Sequence, residues 1–194
     1  MKKLLAIIVL GLLWCNTTQA DDIRDFEIEG LSVGDSLLTL ANKEKIKKAI
    51  QDRQYPNDKF LIYNLEMLVD LKIYDYGTVS TKKNDSNYII TNISGIVRYN
   101  KLDECLKLKD EIQTDIEKIF KSVNKQETNF ASRQDETGNS KVYGVQNYFK
   151  PYPSDEAITI NCYHFTPESG IERTLKVSVN THEYAYFIIN EAYK

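Results

Sequence analysis

Ser36, His164 and His182 are the side chains best suited to nucleophilic or general-base chemistry in this chain. Ser36 lies in the block Gly34-Asp35-Ser36-Leu37, where a glycine could let the backbone turn and present the hydroxyl. A serine hydroxyl is a weak nucleophile until a base takes its proton, and that base is in turn oriented by a third group. The block also has a conformational use, because Asp35 or Ser36 can accept a backbone N–H at the start of a helix running into Leu37–Ala41. The two histidines lack ligand spacing, so no zinc site is expected. Asp135-Glu136-Thr137-Gly138-Asn139 sets oxygen ligands beside a glycine, yet it lacks the alternating acids and distal glutamate of a calcium loop and reads as a turn. Asp110-Glu111 falls on the polar side of a helical pattern, where a solvated surface is the default. Tyr143, Tyr148 and Tyr163 alternate along strand patterns and serve sheet packing, with an aromatic-lined cleft as their other use. These residues imply no catalytic set, no metal and no cofactor.

Gly34-Asp35-Ser36-Leu37 is similar to the nucleophile block of GDSL esterases and lipases. That resemblance implies an envelope hydrolase with Ser36 as nucleophile. In that family the block ends an apolar strand and works with later glycine and asparagine oxyanion donors and an Asp-x-x-His pair, whereas Asn161 and Val179 stand three residues before His164 and His182 here. Here Glu27, Glu29 and Ser32 precede it, and no Gly-x-Asn-Asp block follows.

The address comes from the first twenty residues. Lys2-Lys3 is a basic start, Leu4–Trp14 an apolar run of eleven residues, and Asn16–Ala20 a polar stretch ending in small residues. The run suits a signal peptide and is too short to span a bilayer, which takes roughly 20 apolar residues. Cleavage is expected after Ala20, with Thr18 and Ala20 at positions −3 and −1 of the cut and Asp21 opening a single exported domain over 21–194. Cys15 raises lipidation instead, but the bulky Leu13-Trp14 before it is a poor lipobox, so a soluble product is expected. Removing twenty residues from 194 leaves 174, enough for one domain with a core. The leader carries two lysines and no acid, so 25 basic and 28 acidic residues become 23 and 28, a net charge of −5. An acidic domain repels phosphate backbones and anionic lipid, which argues against a nucleic-acid partner. No later segment is apolar and long enough to span a membrane.

Two cysteines survive that cleavage. Cys105 lies on the apolar stripe of a long helical pattern, and Cys162 shares a strand face with Ile158 and Ile160, since side chains two apart point the same way. Both face one predicted helix–sheet interface. In an oxidising compartment they should form a disulfide. The absence of Cys-x-x-Cys argues against a redox enzyme.

The elements around these residues follow from periodicity. Asp25–Glu29 reads as a short strand. A helix pair follows, Leu37–Ala41 and Lys43–Arg53, broken by Tyr55-Pro56-Asn57-Asp58. Strand patterns cover Lys59–Leu65, Leu71–Val79 and Tyr88–Tyr99, with the polar stretch Thr81–Asn87 suggesting a hairpin. In Leu102–Val123, Cys105, Leu108, Ile112, Ile116, Ile119 and Val123 recur at three- and four-residue steps, which defines an amphipathic helix. Asn124–Ser140 is polar and reads as a connection. Lys141–Phe149, Ala157–Phe165 and Arg173–Asn180 are strand patterns, and His182–Tyr193 is a closing helix with Tyr186, Ile189 and Tyr193 inward. The sum is an α+β domain with an antiparallel sheet of about five to six strands packed on one long helix.

At Phe26–Leu38, Tyr88–Asn100, Asp135–Val142 and the Cys105/Cys162 pair, the chain resembles a group of short exported proteins of Pelagibacter-type marine bacteria, over most of its length after the leader. The resemblance implies an envelope address. More distantly, Ile28-x-Gly30 followed by Gly34 and a helix pair is similar to the small outer-membrane assembly lipoproteins and β-lactamase-inhibitor-like modules, which implies an interaction domain. The chain lacks the Leu-Gly-x-Pro that usually ends that helix pair. The expected function is a periplasmic, non-catalytic binding or protein-interaction module for an envelope protein or small ligand.

Overall fold

The computed structural model describes residues 22–132, 135, 138–149 and 156–194. The expected leader, its cleavage point and Cys15 lie outside them, as do Glu136 and Thr137 of the acidic turn. Within the described residues a single seven-stranded antiparallel sheet runs in the order β1-β2-β3-β7-β6-β5-β4. The strands are β1 (Phe60–Asn64), β2 (Tyr76–Lys82), β3 (Ile90–Arg98), β4 (Asn124–Ala131), β5 (Lys141–Tyr148), β6 (Ala157–His164) and β7 (Thr174–Asn180). Three α-helices accompany them: α1 (Lys43–Lys48), α2 (Leu102–Ile119) and α3 (His182–Asn190).

The α+β class stands, and several details change. The sheet has seven strands, because the polar stretch expected to be a connection begins with β4. Seven of its eight residues are exposed, so it shows no alternation between buried and wet positions. Asp25–Glu29 is not a strand. Ile23–Asp25 is a 3-10 turn, and Ile28 and Leu31 bridge across a tight reversal at Glu29-Gly30. Both turn residues have positive φ, 55° and 77°. Of the expected helix pair, the first is a 3-10 turn over Leu37–Thr39 and the second stops at Lys48. The second strand pattern is shifted toward the C-terminus, to Tyr76–Lys82.

α2 forms where the periodicity puts it. Its stripe residues Cys105, Ile112 and Ile116 are at most 3 % exposed and pack into the main core with Val145, Ile158, Ile160, Val177 and Val179. Complete burial of one such aliphatic side chain contributes roughly 1.5–3 kcal/mol. The sulfurs of Cys105 and Cys162 are bonded, tying α2 to β6 across 57 residues of chain. A polar tie lies farther along the same interface, where Gln113 on α2 meets Asn147 on β5.

α3 differs from expectation in what it buries. It lies on the sheet face opposite α2, where Tyr184 and Phe187 pack on Phe60 and the Tyr184 hydroxyl meets Ser80 Oγ at 3.2 Å. Tyr186, Ile189 and Tyr193, expected inward, are 47 %, 71 % and 75 % exposed. The helix is rotated because Phe60 presents an aromatic surface that Tyr184 meets edge to face and Phe187 meets at a tilt of 51°.

Candidate functional site

Three stretches meet at one end of the sheet to form a cleft of about 1000 Å³. The N-terminal segment forms one wall. Asp22 caps the first 3-10 turn by accepting the Arg24 N–H at 2.9 Å, and its carboxylate also holds the Arg24 guanidinium. That hydrogen bond keeps the Asp22 carboxyl below the ordinary carboxylate range. Gly34, at φ 96°, then lets the chain turn into register with β3. Gly34 donates to the Ile90 carbonyl at 2.8 Å, Ile90 to the Asp35 carbonyl at 2.8 Å and Leu37 to the Tyr88 carbonyl at 3.1 Å.

The β2–β3 hairpin forms the second wall. The Asp85 carboxylate shapes it by accepting from the amides of Asn87 and Ile89, at 2.9 and 2.8 Å. The third wall is the β7–α3 junction, where Thr181 Oγ1 accepts from the Tyr184 amide as the cap of α3 and donates to the Thr91 carbonyl. Lys82 and Glu183 pair at 2.6 Å across two of the walls. Ile23, Val33, Ile90 and Phe149 give the cleft an apolar floor. Its charged lining is two cations, Arg24 and Lys82, against four acids, Asp22, Asp85, Glu156 and Glu183, with His182 beside them.

The chain matches no family model, no curated protein and no solved structure.

Gly34 and His182 both line the cleft, and Ser36 is bridged to Ile89 at its border. The Ser36 hydroxyl, however, donates to the Asn87 carbonyl and accepts from the Leu38 amide at 3.2 Å, so its hydrogen bonds run to the backbone and to neither histidine among the described residues. This is the capping use of the block, applied to the 3-10 turn Leu37–Thr39. Asp35 accepts from the Ser32 amide at 2.8 Å.

His164 is at the other end of the sheet. It terminates β6, whose start adjoins the cleft residue Glu156, and eight strand residues separate points on the order of 20 Å apart. Its ring stacks on Tyr99 at 6.2 Å between centroids. Burial, then the charge of Arg173, lowers its pKa, while burial pushes the Tyr99 phenol up to about 12.

The remaining candidates are dispersed. Asp110 and Glu111 are exposed and pair with Lys109 and Lys107 on their own helix. Asp135 accepts from the Ser140 amide at 3.0 Å and closes the turn ahead of β5. Tyr143 packs toward α2, whereas Tyr148 and Tyr163 belong to the opposite face, and none of the three lines the cleft. Among the described residues no three histidine, cysteine or carboxylate side chains converge as a metal site requires. The cleft residues Arg24, Lys82, Asp85 and Glu183 come from turns and element ends. Their one sequence signal is the polar run at Thr81–Asn87, which marks a hairpin but not what faces it.

Proposed function

We propose that the protein is an exported, non-catalytic binding module and that its ligand occupies the cleft at the junction of the N-terminal segment, the β2–β3 hairpin and the start of α3. The supporting observation is the lining: an apolar floor under a charged rim in which acids outnumber cations by four to two. A pocket of this kind buries an apolar group while a few polar contacts fix its orientation. The acidic excess favours a ligand that carries positive charge beside its apolar part, such as a basic, apolar segment of an envelope protein. Export rests on the basic, apolar and small-residue order of positions 1–20.

Two measurements test this reading. Mass spectrometry of protein recovered from the periplasm is expected to find a chain beginning at Asp21, unmodified by lipid. Immobilised protein is expected to retain an envelope partner that Ile89→Lys, which adds a cation to the cleft, releases. Retention of the same partner by both forms would move the binding surface elsewhere. An esterase activity abolished by Ser36→Ala would replace the reading with hydrolysis.

A further inference from the structure

The two edges of the sheet are treated differently by the rest of the chain. The outer side of β1 is sealed: Gln51 donates to the Ile62 carbonyl at 2.9 Å, Asn64 donates to the Ala49 carbonyl at 2.7 Å, and the Gln54 side chain bonds both the amide and the carbonyl of Ile62. The outer side of β4 has no such cover among the described residues. Ser132 donates to the Ser140 carbonyl, and the unbroken register Asn124↔Tyr148 to Ala131↔Lys141 carries that phase along the strand. The even-numbered residues of β4 therefore bond to β5, and Lys125, Glu127, Asn129 and Ala131 turn their N–H and C=O groups outward. The strand is eight residues long, has no bulge and contains no proline. An edge of this form is a template for another strand.

We propose that β4 pairs antiparallel with β4 of a second copy of this chain, about a two-fold axis through Thr128, to give one continuous sheet across a dimer. The side chains of the strand select a second copy and this register. With Thr128 on the axis, Lys125 lies opposite Ala131 of the other copy and Glu127 opposite Asn129, so the Asn129 amide can donate to the Glu127 carboxylate twice over. The other face pairs Gln126 with Phe130, which is 50 % exposed in the single chain. No like charges lie directly opposite each other; the two Glu127 side chains are diagonal neighbours, each beside an Asn129 amide. Moving the axis to Glu127 would set the two Glu127 carboxylates against each other, and moving it to Gln126 would shorten the overlap. Thr128, on the axis, has a buried hydroxyl without a hydrogen-bond partner in the single chain. α2 packs mainly over β6 and β7, and it reaches the edge strand through the half-exposed pair of Glu117 with Lys125 at 3.1 Å, on the face of the strand rather than on its outer backbone.

The test is sedimentation of the purified protein over a wide concentration series, with three substitutions at Asn129. The unmodified protein is expected to pass from monomer to dimer as concentration rises. Asn129→Pro removes an outward N–H that the single chain does not use, so it should abolish the dimer while leaving circular dichroism and thermal midpoint unchanged. Asn129→Lys sets two opposite-charge pairs across the axis and should tighten the dimer several-fold, with increased sensitivity to salt. Asn129→Glu should loosen it to a similar extent. If the proline unfolds the chain, the opposed effects of lysine and glutamate decide. A monomer at every concentration overturns the proposal, and so does a dimer that responds to neither charged substitution.

Discussion

Gln113 and Asn147 exchange two hydrogen bonds across the interface between α2 and β5, Nε2 to Oδ1 at 2.9 Å and Nδ2 to Oε1 at 2.8 Å. Asn147 is fully buried and Gln113 is 5 % exposed; Gln113 Nε2 also donates to Glu117 Oε1 at 2.9 Å, so Asn147 is the member that depends on the pair. Removing one partner leaves a buried amide unsatisfied, which costs about 1–3 kcal/mol. Gln113→Leu is expected to lower stability by that amount in urea unfolding. Gln113→Leu combined with Asn147→Val should cost less than the sum of the two single changes, and simple additivity would refute the coupling.

The bond between Cys105 and Cys162 closes a loop with a sequence separation of 57. In the chain-entropy treatment such a closure contributes about 4 kcal/mol by restricting the unfolded state. Reduction, or replacement of both cysteines by alanine, should shift the urea midpoint down accordingly. Thiol titration of the denatured, unreduced protein should find neither of these two cysteines free.

Glu29 holds an unusual backbone position. Its φ of 55° is left-handed, and its carboxylate accepts from the amides of Lys72, Ile73 and Tyr74 at 2.8–3.1 Å. A side chain with a β-carbon costs roughly 1 kcal/mol in this conformation, and the clamp offsets it. Glu29→Ala loses the clamp and keeps the strain, whereas Glu29→Gly loses the clamp and relieves the strain. Glycine should therefore be the milder substitution in thermal unfolding, and the reverse order would show that the clamp does not set the turn.

Gly95 lies against the ring of Tyr74. A β-carbon there would come within 2.5 Å of the ring carbons, too close for Tyr74 to stay. Gly95→Ala is expected to destabilise by about 1–3 kcal/mol through overpacking. Gly95→Ala in a Tyr74→Leu background should cost less, and an unchanged cost would point to another neighbour.

His164 gives a pH signature. Its folded-state pKa is lowered, first by burial and then by Arg173, below the ordinary 6.5. The unfolded chain then takes up a proton near pH 6.5 that the folded chain resists, so its contribution is present above that pH and is lost as the pH falls toward the folded pKa. His164→Phe, which keeps the stacking on Tyr99, should flatten the difference. Parallel stability curves for the two proteins below pH 6.5 would exclude the effect.

How far these features could be read from the amino-acid order depends on whether packing or backbone geometry sets them. α2 was legible because Cys105, Ile112 and Ile116 repeat at the period of the helix they stabilise. β6 and β7 were legible because Ile158, Ile160 and Cys162, and Leu175, Val177 and Val179, alternate against a core. β4 was not, since an edge strand wet on both faces has no apolar periodicity to show. The outward rotation of Tyr186 and Ile189 was equally hidden, because α3 takes its orientation from Phe60, which is more than a hundred residues away in the chain. The cleft was hidden for a related reason: its lining is gathered from element ends, and only the fold brings Arg24 near Lys82 and Glu183.

The strand order carries a consequence for biosynthesis. β1-β2-β3 and β6-β5-β4 are two separate meanders, and β7, the last strand made, is inserted between β3 and β6. Until the final twenty or so residues emerge, each half exposes a raw central margin with its backbone groups unanswered. A chain still emerging from the ribosome therefore cannot assemble this domain early. Stop codons upstream of Thr174 should yield two unjoined ribbons, which would be substrates for proteolysis.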